Sequence, residues 1–365
     1  MIATRAHARD PVEVVDLADA VADPAERLRN EWNALARRCD RTSYFQTADW
    51  IWSWWETVAH RPATRVACWR ADDGTLEAVA AVSRGRVMLH RRLGVSVPVK
   101  TLAGTGPGDA DHCGAVASAH RRADVAQWLR AAAGRRTLVA EALAPEDGIA
   151  PRGARPVEQT PCPRLVLAGE DGPGPSPLYR RQLRKYAARI ARAGVTFDWQ
   201  GPGAVTPSTV SALFALHDER RRSRNETSTL GPDHRDLLLR CCARAGSDRG
   251  PVAAIARKGD DVIGVLFGFW WQRGVELYQK GWDPTYAPFS LGSLLVVEAI
   301  RASDAAHADT VDFLRGTEDY KYRFGAVARE DRTVVVPRGP VGALLVARGV
   351  ALARRDARRA RRTAA

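Results

Sequence analysis

The stretch from Lys280 to Gly325 constrains the fold of this chain more than any other, because it reads as a strand, a small-residue turn, an apolar helix, a second strand and a short charged helix. The turn Ala287-Pro288-Phe289-Ser290-Leu291-Gly292-Ser293 runs straight into Leu294-Leu295-Val296-Val297. A helix entered through small residues leaves backbone N–H groups free to meet an anionic or carbonyl oxygen. Polar residues then gather at the end of the next strand, where Val311-Asp312-Phe313-Leu314 gives way to Arg315-Gly316-Thr317-Glu318-Asp319-Tyr320-Lys321. A helix entrance beside a charged strand end suits an acyl or phosphate group, so the residues point to an enzyme.

At 365 residues the chain suits two domains of ordinary size. A hydrophobic content of 45% with 11 Trp supplies two packed cores and excludes a disordered chain. The opening residues carry no apolar core of a signal peptide, and the longest apolar run, 262–271, is too short to cross a bilayer. The expectation is a soluble cytoplasmic protein. Six Cys at 39, 68, 113, 162, 241 and 242 form no C-x-x-C, which argues against a zinc ribbon or a disulfide scaffold.

The net charge of +13 is concentrated in two places. Residues 179–192 carry six basic side chains (Arg180, Arg181, Arg184, Lys185, Arg189 and Arg192) and no acid. Residues 348–362 carry seven Arg against Asp356 alone. The rest is near neutral, so the excess concerns surfaces for an anionic partner, not the fold. An anionic membrane surface suits the second segment, which otherwise reads as a solvated basic tail over 338–365.

Asp23-Pro24-Ala25-Glu26 reads as a helix start with Asp23 as cap, and Thr47 opens a helix whose Trp50, Ile51, Trp54, Trp55 and Val58 mark one buried face. Asp72-Asp73-Gly74 and Lys258-Gly259-Asp260-Asp261 each sit between strand-like runs, giving two hairpins. Residues 169–177, rich in Gly, Pro and acids, read as a linker. Each side of it shows helices, meandering strands, a helix and a strand. The expected class is α+β, two copies of one unit with a mixed central sheet flanked by helices, over residues 10–168 and 178–337.

Three groups of residues carry a family resemblance. Pro288-x-Ser290-x-Gly292-x-x-Leu295, then Asp312-x-x-Arg315-Gly316-x-Glu318-x-Tyr320-Lys321, then Phe324-Gly325 resemble the signature of CelD/BcsL-type acetyltransferases. These belong to the GNAT superfamily and lie near the Fem peptidyltransferases. Tyr44-Phe45-Gln46-Thr47-x-x-Trp50-x-x-x-Trp54 looks like the family's N-terminal half, and His217-x-x-Arg220 falls where similar proteins carry a His and a basic residue. The resemblance covers roughly residues 25 to 335. It implies tandem GNAT-like halves, acetyl-CoA or another acyl-CoA as donor, and an amine or hydroxyl of a sugar-linked or other polar acceptor. Exopolysaccharide or cellulose production is the implied setting. The usual pyrophosphate loop, Q/R-x-x-G-x-G/A, is not fully kept: Pro288-Phe289-Ser290-Leu291-Gly292-Ser293 has one Gly. Fem-type relatives share such a loop and use aminoacyl-tRNA, so a tRNA partner stays open. A catalytically inactive scaffold at a membrane is the third reading.

Acyl transfer needs a base for the nucleophile and a donor for the tetrahedral oxyanion. Glu318, Asp312 and His217 are the catalytic candidates. Asp312 has an equally simple part as ion-pair partner of Arg315 or Lys321, Glu318 as a first-turn acid behind Thr317, and His217 as a satisfied histidine on an apolar helix face. Ser290, Gly292 and Ser293 would meet the donor through backbone N–H groups, with Arg315 and Lys321 on its phosphates; helix capping by Ser290 is the simpler role. Asp109, Asp111, His112 and Tyr320 are the candidates for contact with the substrate. No metal is expected: Asp109 to Cys113 are too crowded to converge on one ion.

Overall fold

The computed structural model describes residues 10–40, 42–58, 60–90, 94–105, 110–144, 149–167, 174–226 and 230–363. The chain divides into two compact units, Met1–Thr160 with Glu330–Ala365, and Pro161–Arg329.

The first unit holds strands β1 (Glu13–Asp16), β2 (Thr64–Arg70), β3 (Leu76–His90), β4 (Val95–Leu102), β5 (Val116–Ala117), β6 (Leu138–Leu143), β7 (Arg155–Pro161) and β14 (Glu330–Val336). Their order across the sheet is β1-β2-β3-β4-β6-β14-β7, with β5 against β3. Helices α1 (Leu17–Ala22), α2 (Arg27–Arg38), α3 (Ala48–Thr57) and α4 (Arg122–Ala132) belong to it, as does α10 (Gly339–Thr363). The Trp stripe of α3 is core: Trp50, Ile51, Trp54 and Trp55 are all buried, and the Trp50 indole donates to the Gly104 carbonyl at 3.1 Å.

The second unit holds β8 (Arg164–Val166), β9 (Val195–Gln200), β10 (Gly250–Lys258), β11 (Asp261–Trp271), β12 (Gly274–Trp282) and β13 (Thr310–Asp312), ordered β8-β13-β12-β11-β10-β9. Helices α5 (Pro177–Arg192) and α8 (Leu291–Ala305) share one apolar cluster with Val252, Ala254, Leu266, Val275 and Leu277. Helices α6 (Pro207–Arg222) and α7 (Pro232–Ala243) pack on β10, β11 and β12, and α9 (Asp319–Arg323) follows β13.

The two units repeat one plan. A three-strand antiparallel meander is followed by a helix and a strand parallel to the last meander strand, as β4 with β6 and β12 with β13. The next neighbour is antiparallel in both, β14 on β6 and β8 on β13.

Three expectations need correction. Residues 330–336 do not close the second half; they pair with β6 in the first sheet, where Val334, Val335 and Val336 are buried. The basic segment is no loose tail but helix α10, whose Leu345 packs against Val99, Val139 and Val335. Asp23 caps no helix: Glu26 adopts φ 47° just before α2, and the Asp23 carboxylate accepts instead from the amides of Ala25 and Arg27 at 3.0 and 3.3 Å. Of the expected linker, residues 169–173 lie outside the described residues and Pro177 already belongs to α5.

Within β12 the pairing with β11 slips: Phe267 faces Gln279 and Gly268 faces Leu277, so Tyr278 is a bulge. Position 268 must be glycine, because a Cβ there would meet the Glu276 carbonyl at 2.5 Å. The slip breaks the alternation of side chains, so Trp282 joins the same apolar cluster as Val275 and Leu277.

Ending the chain at residue 329 removes a strand that lies between β6 and β7. Each buried Val contributes about 1.5–3 kcal/mol, so the loss rivals a whole domain's margin of about 5–15 kcal/mol. That truncation should abolish cooperative melting of the first unit, whereas ending the chain at residue 338 keeps the strand and should leave a cooperative transition. Thermal unfolding followed by circular dichroism decides it.

Candidate acyl-transfer site

Strands β12 and β13 pair in parallel over only three positions, Gly274 with Thr310, Val275 with Val311 and Glu276 with Asp312. Past Glu276, β12 runs on to Trp282 without β13 beside it. A parallel pair that parts midway leaves a wedge at the carboxyl ends of the strands, where ligands enter open α/β sheets. Four elements border this opening: the end of β12, the start of α8, the loop and short helix after β13, and the end of α6.

Helix α6 crosses β12 closely. A Cβ at Gly281 would stand 2.5 Å from the His217 amide nitrogen and 2.7 Å from the Leu213 carbonyl, so glycine permits the contact. One turn further on, Arg220 lays its guanidinium over the Trp282 ring at 5.3 Å. Among the described residues, the Nε of Arg220 is buried without a hydrogen-bond partner. Burial, then the cations of Arg224 and Arg221, pull its pKa below the usual guanidinium value.

Lys280 sits between these groups and α9. Its ammonium lies 3.8 Å from the centre of the Tyr320 ring. Desolvation, then the positive charges of Arg220 and Lys321, outweigh the pull of Glu318 and bring Lys280 down to about 7. Tyr320 is held by an aromatic chain: Tyr179 meets Phe324 at 5.4 Å, Phe324 stacks on Phe313 at 6.0 Å, and Phe313 meets Tyr320 edge-on at 6.3 Å. Burial and the nearby Glu318 push the Tyr320 phenol upward, so it stays protonated.

The loop after β13 is built around Lys321. This buried ammonium donates to the carbonyls of Leu314 at 3.2 Å and Arg315 at 2.6 Å, and lies 3.0 Å from the Glu318 carboxylate. Leu314 adopts φ 54° and Gly316 φ 126°. A Cβ at Gly316 would clash with the Glu318 carboxylate and stand 2.8 Å from the Lys321 ammonium. The motif Arg315-Gly316-x-Glu318-x-Tyr320-Lys321 is therefore first a self-clasping loop.

Each predicted site residue has a place. Asp312 is buried and accepts from Arg164 Nε at 2.8 Å and from the Leu314 amide at 2.8 Å, so Arg164 is an ion-pair partner that the sequence did not suggest. Glu318 ties to Lys321, and it precedes α9 without a side-chain capping bond; Thr317 is not the cap. His217 is buried on α6, its pKa lowered by desolvation and by Arg221 against the opposing pull of Asp218. Ser290 precedes α8 at φ 56° and makes no side-chain cap. The Ser293 amide donates to the Ser290 carbonyl at 2.8 Å, which commits it. Gly292 makes room for Trp282, whose Nε1 would stand 2.9 Å from a Cβ there. Arg315 is half-buried. Lys321 faces backbone carbonyls. Asp111 and His112 lie in the first unit, both buried; the His112 imidazole pairs with Asp331 at 2.8 Å, so it is an interior group. Asp109 lies outside the described residues.

Sequence reasoning missed Lys280 and Trp282 as site residues and gave Arg220 no role. The available signal was two polar-to-aromatic positions, Lys280 and Trp282, at the end of an apolar strand and next to glycines.

Residues 178–322 match the family described as an acetyltransferase (GNAT) domain. No curated protein matches the chain. Among solved structures, the C-terminal domain of a putative lysylphosphatidylglycerol synthetase from Agrobacterium fabrum is similar, at 14% identity and a TM-score of 0.56, over 92% of this chain and 97% of that one. FemX is similar at 9% identity and a TM-score of 0.59, over 84% and 95%. These two likenesses concern the fold. The tandem GNAT-like architecture is the one described above, and the second unit carries an acyltransferase domain of the GNAT type.

The sign of the Lys280 effect on stability follows from linkage. Its folded value of about 7 lies below the unfolded value of about 10.4, so the unfolded chain binds the extra proton between them. The contribution of Lys280 to stability should therefore rise with pH across that window and be flat below it. Urea unfolding of the protein and of Lys280→Met at pH 6, 8 and 10 tests this: the stability difference should move in favour of the lysine from pH 7 upward. A constant difference would mean that Lys280 is an ordinary solvated lysine.

Proposed function

We propose that the second unit transfers an acyl group from acyl-CoA to an amine or hydroxyl of a polar acceptor, in the wedge between β12 and β13. The observation that carries this reading is the parting of the two strands after Glu276 and Asp312, with Lys280 at the opening, inside a domain that matches the GNAT acetyltransferases. The donor's diphosphate would lie at the start of α8, beside Arg189, which stacks on Phe289 at 5.3 Å. Its acyl thioester would reach into the wedge along β12.

Lys280 suits the proton acceptor. It is neutral for much of its population near pH 7, and it stands on a strand, which fixes its position. The acceptor's nitrogen or oxygen would lose its proton to Lys280 and attack the thioester carbonyl. The tetrahedral intermediate would collapse to the new amide or ester, and the expelled thiolate would take up the proton held by Lys280, which returns the lysine to its neutral form. No covalent enzyme intermediate is needed. Acetyl is the simplest acyl group, and exopolysaccharide or cellulose precursors are the acceptors that the CelD/BcsL resemblance implies.

A second reading has its own observation. All six basic side chains of α5 are exposed, along a helix of a fold similar to FemX. An aminoacyl-tRNA donor would meet its backbone there. Substituting Arg180, Arg181 and Arg184 by Glu should weaken tRNA binding and flatten its salt dependence if that reading holds; indifference removes it. A membrane-associated role of α10 would show as flotation with anionic liposomes that is lost without residues 341–365.

Calorimetry with acetyl-CoA tests the donor. Binding in the micromolar range is expected, and none at millimolar ligand would remove the acyl-CoA reading. Once an acceptor is found, kcat/KM should rise with pH and level off just above 7, and Lys280→Met should lose roughly 100-fold or more in kcat, in the range ascribed to a positioned base. An unchanged pH profile in the variant would assign the base elsewhere.

A further inference from the structure

The charges around the wedge do not balance. Arg220 on α6 and Lys321 on α9 bring two cations, and Lys280 on β12 adds a partly protonated third group. The acids near them are committed: Glu318 lies 3.0 Å from Lys321, and Glu226 lies 2.6 Å from Arg221. Among the described residues, Arg220 keeps a buried Nε with no hydrogen-bond partner, and its guanidinium is stacked on Trp282. A half-buried guanidinium whose Nε is out of water and unpaired among the described residues, with its nearest acid committed elsewhere, is costly unless an anion arrives to compensate it. Stacking also fixes the plane of the guanidinium, which leaves its N–H edge as a fork suited to a carboxylate or phosphate.

We propose that Arg220, stacked on Trp282 and next to Lys280, is the seat of an anionic group, a carboxylate or a phosphate, carried by the acyl acceptor. The proposal rests on the reading of the wedge as the acyl-transfer site and adds a substrate class to it. The acceptor is an anionic amine or alcohol, such as an amino acid, a sugar acid or a phosphorylated sugar, and not a neutral glycan chain. Its anion on Arg220 would hold the nucleophile near Lys280. It would also offset the cations that depress Lys280 and so turn the lysine into a stronger base once the acceptor is bound. The groups that face Lys280 in this account are Arg220, Lys321, Glu318 and the Tyr320 ring.

The test uses inorganic phosphate and acetate as probes of the full chain at constant ionic strength. Calorimetry should show saturable binding of at least one of them. Arg220→Gln should weaken it at least 10-fold, while Arg301→Gln, whose guanidinium pairs with Glu298 on the outside of α8, should leave it unchanged. Phosphate binding alone points to a phosphorylated acceptor, acetate binding alone to a carboxylate. The titration of Lys280, followed by NMR after isotopic dimethylation of the lysines, should move upward when the anion binds to the wild type. In Arg220→Gln it should start higher and no longer respond. Equal anion binding by wild type and Arg220→Gln, or no saturable binding, would overturn the proposal. Desulfo-CoA titrated into the same proteins separates the two readings. Desulfo-CoA binding that survives Arg220→Gln supports an acceptor seat. If both probes are lost in that variant, Arg220 belongs to the donor and the proposal fails. If the wild type binds the anion through Arg220 but no desulfo-CoA, the seat stands and the acyl-CoA reading falls.

Discussion

Everything at the candidate site depends on a backbone crowding between two neighbouring strands. Gly268 and the Glu276 carbonyl approach so closely that any Cβ would collide, and the bulge at Tyr278 absorbs the misfit. A bulge strengthens the local twist and re-aims the side chains that follow it. Two consequences meet in one place. The strand swings away from β13 after three paired residues, and its last side chains, Lys280 and Trp282, are placed on the face that carries α9 and α8. With unbroken alternation, Lys280 would have stood on the face opposite Leu277.

The rim is then held by contacts that exclude alternatives. Lys321 gathers the carbonyls of Leu314 and Arg315, and Glu318 folds over Gly316 to reach it. The chain of Tyr179, Phe324, Phe313 and Tyr320 carries that loop back to α5, so the ring over Lys280 is positioned by the same cluster that packs the sheet. Charged residues in the family-like motif thus shape the backbone, and the proposed base, Lys280, lies outside the motif.

This division explains what could be read from the sequence. The meander, the helix after it and the charged loop follow from local patterns: Lys258-Gly259-Asp260-Asp261 marks its turn, and α8 is apolar from Leu291. The Trp stripe of α3 announced a buried helix, but Asp49, Trp52 and Ser53 are buried too, so the burial extends beyond the one face that the spacing marked. Lys280 could not be placed, because the bulge depends on which residue of β11 stands opposite, and nothing in β12 itself records that. The membership of β14 was equally hidden. Its valines show that it is a strand, but its partner β6 lies almost two hundred residues away, and a valine run fits either sheet. The start of α2 shows the same limit on a small scale. Asp23 does satisfy two amides, but Glu26 turns left-handed and delays the helix to Arg27.

Net charge also misleads about where charge acts. The +13 excess drew attention to α5 and α10. The basic side chains of α5 are exposed, and solvated charges of that kind steer partners while costing the fold little. Arg220 and Lys280 add only two to the count, but both are desolvated and both are pulled below their usual values. A charge taken out of water without a fixed counter-charge has a use only if something mobile supplies it. In the proposed wedge between parting strands, that something would be a ligand, and the sign of the uncompensated charge gives the ligand's sign.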